Sequence, residues 1–287
     1  MTKTFEQLNQ SDPKSLMILD SLNLAFRYKH SKAVDFATDY MRTVESLQKS
    51  YKTKKLIIAG DMGASSYRKA LYPLYKQNRK DKYANQTEEE AAEFEAFFEE
   101  VQVILSTYED EGKFPVIRFP NVEADDIAAY IVSKRKKYNI NQVWLVSSDK
   151  DWDLLVAPGV SRFSYVTRKE ITHDNWDTHY ECTQDEYISL KCLMGDSGDN
   201  VMGVPGVGPK RALQLVQDYG SAYDIIAALP ISSKYKYITA LNEFGSEGLM
   251  LNYKLMDLVT NCEEAIGEEN CKNINKVMDF YLNEDIS

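Results

Sequence analysis

Three carboxylates, Glu123, Asp125 and Asp126, crowd into the stretch Val122-Glu-Ala-Asp-Asp126, directly ahead of an apolar run from Ile127 to Val132. On a helix turning about 100° per residue, Glu123 and Asp126 share a face while Asp125 points away, so the three converge only near a first turn, around something bound. Two carboxylates ~5 Å apart repel by roughly 3 kcal/mol at an effective dielectric of ~20, so such a cluster must be protonated or hold a cation. The competing reading is that these acids only complement the positive end of a helix dipole. Six further acids, Asp20, Asp61, Asp149, Asp151, Asp196 and Asp199, shift the balance toward a metal.

Their positions follow the pattern of the chain. Leu16–Leu19, Leu56–Ala59 and Val143–Val146 read as buried parallel strands, and each delivers an acid at its C-terminal end: Asp20, Asp61 after Gly60, and the pair Asp149 and Asp151. In open α/β sheets that end is where ligands bind. Val116–Phe119 adds a strand, and Ser161–Thr167, which alternates polar and apolar, reads as one nearer the sheet edge. Helical periodicity marks Phe36–Tyr51, Thr87–Tyr108 with a capping box from Thr87 to Glu90, Asp185–Met194, Tyr223–Leu229 and Leu249–Val259. The alternation predicts an α/β protein with a mainly parallel central sheet flanked by helices. From Asn261 on, the chain is acidic and offers no pattern.

Two basic stretches stand out. Tyr67 to Tyr83 holds six cations, one anion and four tyrosines, a mixture suited to tracking a nucleic-acid backbone and stacking on bases; a solvated surface with incidental tyrosines is the alternative. Gly203-Val-Pro-Gly206-Val-Gly208-Pro-Lys210-Arg211 lets backbone N–H groups approach a phosphate at a helix start. A tight helix–helix turn explains these glycines but not their placement before Lys210 and Arg211.

The chain has 287 residues, 44% of them hydrophobic, enough for one large α/β domain or two modest ones. Cys182, Cys192, Cys262 and Cys271 are too widely spaced for zinc knuckles, and His30, His173 and His179 form no ligand motif with them. They read as reduced thiols of a cytoplasmic protein. Met1–Lys14 is polar and lacks the apolar centre of a secretion signal, and no run of ~18 apolar residues suggests a membrane span. The net charge of −10 argues against a nucleic-acid partner until its distribution is considered. Divalent ions in an acidic cluster would offset about half of it, and the cations are bunched.

The nine acids, in the order strand end, strand end, Val-Glu-Ala-Asp-Asp, Asp149-Lys-Asp151 and Gly195-Asp-Ser-Gly-Asp-Asn200, followed by the glycine turn, resemble the flap endonuclease or 5′-nuclease family, most closely its stand-alone bacteriophage members. The resemblance runs from about Met17 to Leu229. It implies a PIN-like nuclease core over residues 1–190, with a helical arch inserted at 64–110, and a helix–three-turn–helix region over 191–287. It implies that Asp20, Asp61, Glu123, Asp125, Asp126, Asp149, Asp151, Asp196 and Asp199 bind two or more Mg²⁺, replaceable by Mn²⁺, with Asp125, Asp126, Asp149 and Asp151 the main direct ligands. Lys76 and Arg79 match the arch's catalytic cations and Tyr75 its base-stacking ring. Arg27, Gly206, Gly208, Lys210 and Arg211 would hold duplex backbone, with K⁺ at the glycine turn. The implied substrate is branched DNA with a 5′ flap or a free 5′ end, cut by a monomer in the cytoplasm, the host's if the source is a phage. Ser21 and Trp152-Asp153 depart from many relatives, and Asp153 is not counted as a ligand.

Two metals ~4 Å apart suit phosphodiester hydrolysis because charge develops on both the attacking and the leaving oxygen. A DNA-structure binder without activity and a PIN-like ribonuclease are the rivals; the first leaves the full acid set unexplained, the second the basic insertion and glycine turn. A nucleotide-binding α/β enzyme would need Gly-x-Gly-x-x-Gly after the first strand, which is missing.

Overall fold

A computed structural model describes residues 12–31 and 36–283. Most of the polar stretch Met1–Lys14 lies outside the described residues. Strands β1 (Asp12–Asp20), β2 (Thr53–Gly60), β3 (Val116–Arg118), β4 (Gln142–Val146), β5 (Val160–Ser164) and β6 (Lys169–Ile171) form one sheet in the order β3-β2-β1-β4-β5-β6. The first five are parallel and β6 runs antiparallel to β5.

The side-chain period of two explains why the central strands are apolar throughout. Leu16, Ile18, Ile57, Ala59, Val143 and Leu145 pack on one face, against helix α6 (Ala124–Lys134) and two late helices, α11 (Leu258–Ile266) and α12 (Glu268–Asn283). Met17, Leu19, Leu56, Ile58 and Val146 pack on the other, against α1 (Ser21–Ser31), α2 (Phe36–Ser50) and α5 (Glu88–Glu111). The Thr87–Glu90 capping box opens α5, as expected.

Three local expectations are revised. Strand β5 lies second from the edge, yet its polar residues are buried, because Arg162 meets Asp153 at 2.5 Å within the fold; the short edge strand β6 carried no pattern of its own. Leu249–Val259 is not one helix: α10 (Lys236–Met256) stops at Asp257, whose carboxylate accepts from the first N–H groups of α11. The acidic tail is not featureless, since Ile274 and Met278 of α12 are fully buried over the sheet.

The remaining helices, α7 (Gln184–Met194), α8 (Pro209–Tyr219), α9 (Ala222–Ala228) and α10, share a separate apolar cluster. A hairpin of β7 (Gly195–Asp196) and β8 (Val201–Met202) leads from α7 toward α8. The segment 191–287 therefore packs in two places, its last two helices returning to the sheet. Between β2 and β3 the basic insertion forms α3 (Ser66–Leu71) and α4 (Gln77–Ala84), with Lys76 in the left-handed region at φ 56° before α4. No described helix is long and apolar enough to cross a membrane.

Candidate metal centre and nucleic-acid interface

The strand order reverses between β1 and β4, the place where an open α/β sheet leaves a crevice at its carboxyl edge. Asp20 ends β1 in register with Ala59 of β2, and Leu19 is in register with Val146 of β4, so Asp20, Asp61 and Asp149 emerge side by side. Asp61 Oδ1 accepts from the Ala124 amide at 3.0 Å, using an unsatisfied donor at the start of α6. Asp20 accepts from Asn23 N at 3.0 Å and from Ser147 Oγ at 2.8 Å. Ser147 Oγ in turn accepts from Asp149 N at 3.1 Å, and Asp149 caps the 3-10 turn Lys150–Leu155. Asp125 Oδ1 receives the indole N–H of buried Trp152 at 2.6 Å.

No ion pair joins these four acids to a described basic residue. Burial, followed by the charge of Asp61, pushes Asp20 up to about 8. Burial raises Asp61, and burial together with Asp149, Asp61 and Asp20 holds Asp125 well above the usual carboxylate range.

The other five acids are compensated. Asp126 is completely buried and gives both oxygens to Arg68, at 2.6 and 2.8 Å. Glu123 receives Lys76 Nζ at 2.7 Å, Tyr75 OH at 2.9 Å and the Ser65 amide at 3.1 Å, with Arg68 at 3.4 Å. Burial opposes its charge, but Lys76 and Arg68 outweigh burial and lower its pKa. Asp199 meets Arg79 at 2.6 Å and Tyr75 OH at 2.8 Å. Lys191 lies 2.5 Å from Asp151 and 3.7 Å from Asp196. Burial raises Asp151 to about 6 against the pull of Lys191.

Asp125, Asp151, Asp196 and Asp199 line a common cleft, so the two sets of acids meet. Among the described residues, no three acidic, histidine or cysteine side chains converge tightly enough to cage a bare ion alone. Oxygen-only donors, mostly half-buried and held apart in this way, fit a hard divalent cation that keeps several of its own waters.

The structure departs from expectation at Tyr75 and Asp126. Tyr75 was expected to offer a stacking ring, but it is 3% exposed, its ring packed with Cys192, Leu255 and Met256 and its hydroxyl shared by Glu123 and Asp199. Asp126, expected as a main direct ligand, has both oxygens committed to Arg68. Arg68, Lys191, Ser147 and Trp152 were not anticipated. Arg68 is one of six cations in its stretch, and nothing in the sequence separates it from the exposed ones.

Away from the crevice, exposed Arg27 of α1 lies 4.1 Å from the ring centre of Tyr165, with Arg168 at 4.3 Å from the same ring. In the glycine turn, Gly206 takes φ 79° and Gly208 precedes Pro209 as the N-cap of α8. Lys210 and Arg211 line an open cleft of about 730 Å³ with Gln214, Lys234, Tyr235, Lys236 and Tyr237. The Lys234–Tyr237 alternation carries the same signal that marked Tyr67–Tyr83, and the same criterion applied there would have found it.

Two family models match this chain: the N-terminal resolvase-like domain of 5′-3′ exonucleases over residues 15–181, and their C-terminal SAM-fold domain over residues 182–277. The flap endonuclease of Escherichia phage T5 is 43% identical over 91% of this chain and 89% of its own length. A structure of the T5 5′-exonuclease with zinc bound superposes with TM-score 0.88 at 41% identity, covering 93% of this chain and 99% of that one. The T5 flap endonuclease in a pseudo-enzyme–product complex with DNA and metal ions also gives TM-score 0.88 at 41% identity, covering 94% of this chain and 100% of that one.

Proposed function

The chain belongs to the 5′-3′ exonuclease family, and from that premise we propose that it is a structure-specific nuclease that hydrolyses DNA phosphodiesters at 5′ single-stranded flaps and free 5′ ends, in replication or primer processing. The observation that carries this reading is the set of four acids without a described basic ion-pair partner, buried Asp20, half-buried Asp61 and Asp125 and exposed Asp149, at the sheet crevice beside Lys76 and Arg79. A fold does not concentrate buried negative charge without neutralising it unless a cation is supplied from outside.

The acids Asp20, Asp61, Asp125, Asp149 and Asp151 would hold Mg²⁺, with Asp196 and Asp199 completing the outer shell. When bound, the ions lower the pKa of a water nucleophile and offset charge on the reacting oxygens. Glu123 and Asp126 serve mainly to seat Arg68 and Lys76. Lys76 and Arg79 meet the scissile phosphate by exchanging their contacts with Glu123 and Asp199 for it. Arg27, Lys210, Arg211 and the backbone at Gly206 and Gly208 hold duplex phosphates without reading sequence, with K⁺ at the turn. The working unit is a monomer in the cytoplasm, its nuclease core spanning 1–190 with the 64–110 insertion, and its DNA-gripping region 191–287.

The test is a time course on a 5′-end-labelled flap duplex with and without Mg²⁺. The expected product is a metal-dependent cut near the junction of single strand and duplex. If no such product forms with Mg²⁺ or Mn²⁺, the reading is wrong.

A further inference from the structure

Lys76 and Arg79 lie on the insertion, whereas the glycine turn lies on the C-terminal helices, and a short set of contacts joins them. Asn200 Nδ2 donates to the Leu74 carbonyl at 2.8 Å. Asn78 Nδ2 donates to the carbonyls of Ser197 at 2.8 Å and Gly198 at 3.3 Å. The Lys76 amide donates to the Asp199 carbonyl at 2.9 Å, and Arg79 Nε to the Gly198 carbonyl at 3.2 Å. All five join the insertion to the tip of the β7–β8 hairpin, residues 197–200.

The hairpin is itself fixed at both ends. At its tip, Asp196 Oδ1 accepts from the amides of Gly198 and Asp199 at 2.8 and 3.2 Å. At its base, buried Asn252 donates to the carbonyls of Cys192 and Met202, each at 2.8 Å. Gly203 follows directly, and Val204 N bonds back to the Leu193 carbonyl at 2.8 Å. A continuous hydrogen-bonded strut thus runs from the turn to the two cations. A substrate that drew those cations from Asp199 and Glu123 would break the ion pairs but leave the ties to backbone carbonyls, which are made by the Lys76 amide and by the Asn78 and Asn200 side chains.

We propose that Asn78 and Asn200 are positioning residues that hold Lys76 and Arg79 in register with the duplex seated at the glycine turn, and so determine which phosphodiester is cut. The inference rests on the nuclease reading above and adds a source for its positional accuracy. Catalytic groups misplaced by an ångström lose about 10²-fold in rate, so loosening one end of the strut is expected to cost about 10-fold.

Two variants delete the amides; Asn78→Ala also removes the bond its Oδ1 accepts from the Arg79 amide at 2.9 Å, and that amide keeps the Lys76 carbonyl at 3.2 Å. Asn200→Gly keeps the left-handed φ of 59°, which glycine adopts without strain. Asn78→Ala replaces a helical residue with a better helix former. Single-turnover cleavage of a 5′-labelled flap duplex with Mg²⁺ is read at nucleotide resolution, beside the affinity for a plain duplex without a flap. The expected result is a rate lowered about 10-fold, cuts spread over neighbouring positions, and duplex affinity within about twofold of wild type. A variant that keeps the single wild-type cut position, whatever its rate, overturns the proposal, as does a spread of cuts accompanied by a larger loss of duplex affinity. Failure of the wild-type protein to cut would instead strike the nuclease reading itself.

Discussion

Asp125 and Asp126 are adjacent carboxylates, the first half-buried and the second fully buried, yet they do opposite things. Asp126 faces Arg68 in a bidentate pair, and its charge is met inside the fold. Asp125, turned about 100° around the helix, faces Asp20, Asp61 and Asp149 and, among the described residues, has only the Trp152 indole to donate to it. The first acid anchors α3 to α6, and Arg68 Nε extends the anchor to the Leu255 carbonyl at 2.8 Å. The second belongs to a charge set that the protein leaves unbalanced. An acid's role here follows from whether a basic side chain already answers it, not from its residue type or its place in a motif.

The sharpest break between the two is substitution. Asp125→Asn keeps an oxygen that can accept from Trp152 but removes the charge; it is expected to lower Mg²⁺-dependent cleavage by about 10³-fold or more, beyond the loss of a single preorganised donor. The same change should raise the melting temperature in EDTA, since it relieves a repulsive burial. Arg68→Ala should do the reverse, costing about 3–5 kcal/mol by denaturant unfolding, because it leaves Asp126 buried and unpaired, while Glu123 keeps Lys76. Equal destabilisation by both substitutions would erase the distinction.

A pH series separates the unpaired acids from Glu123 rather than from Asp126, because burial raises Asp126 as well in spite of Arg68. Asp20 has a folded pKa raised from 3.8 to about 8, so its stabilising contribution is complete below 3.8 and disappears as pH rises through about 8; raised Asp61 and Asp125 act with the same sign. Glu123, lowered from 4.5, acts oppositely, stabilising above 4.5 and failing as the pH drops further. In EDTA the melting temperature should therefore decline as pH rises from about 5 to about 8. With Mg²⁺ present the slope should flatten or invert, since the deprotonated acids then have a ligand. A metal-independent profile would show that the unpaired set does not bind the ion.

Much of this was legible in the sequence. Apolar runs ending in Asp20, Asp61 and Asp149 revealed both the parallel sheet and its ligand edge, because a doubly covered strand has to be apolar throughout. The helical angle between Asp125 and Asp126 was also legible, but which one would find a partner was not. That depends on Arg68, brought to α6 across 58 residues. Tyr75 illustrates the same limit: a tyrosine among cations reads as an exposed ring, whereas tertiary packing with Leu255 and Met256 buries it. Strand β6 escaped notice because it is too short for periodicity to reveal it, whereas α12 does carry the helical repeat Cys271, Ile274, Met278 and Tyr281 beneath its acidic composition.

The smallest expected effect concerns Lys234 and Lys236, which no motif flagged. Both are exposed and share an open cleft with Lys210 and Arg211, and Arg211 lies 4.9 Å from the ring centre of Tyr237. Unlike Arg68, neither has a buried acid to satisfy, so Lys234→Ala and Lys236→Ala should leave unfolding stability unchanged. If each meets one phosphate, its removal should weaken duplex binding several-fold, uniformly across sequences, and reduce the slope of log affinity against log salt by about 0.9. Anisotropy titrations over a range of KCl concentrations measure that slope. An unchanged slope would place the duplex away from this cleft and leave its cations as ordinary surface charge, whereas a reduced slope with intact stability would make this a basic cluster whose contribution is to the substrate rather than to the fold.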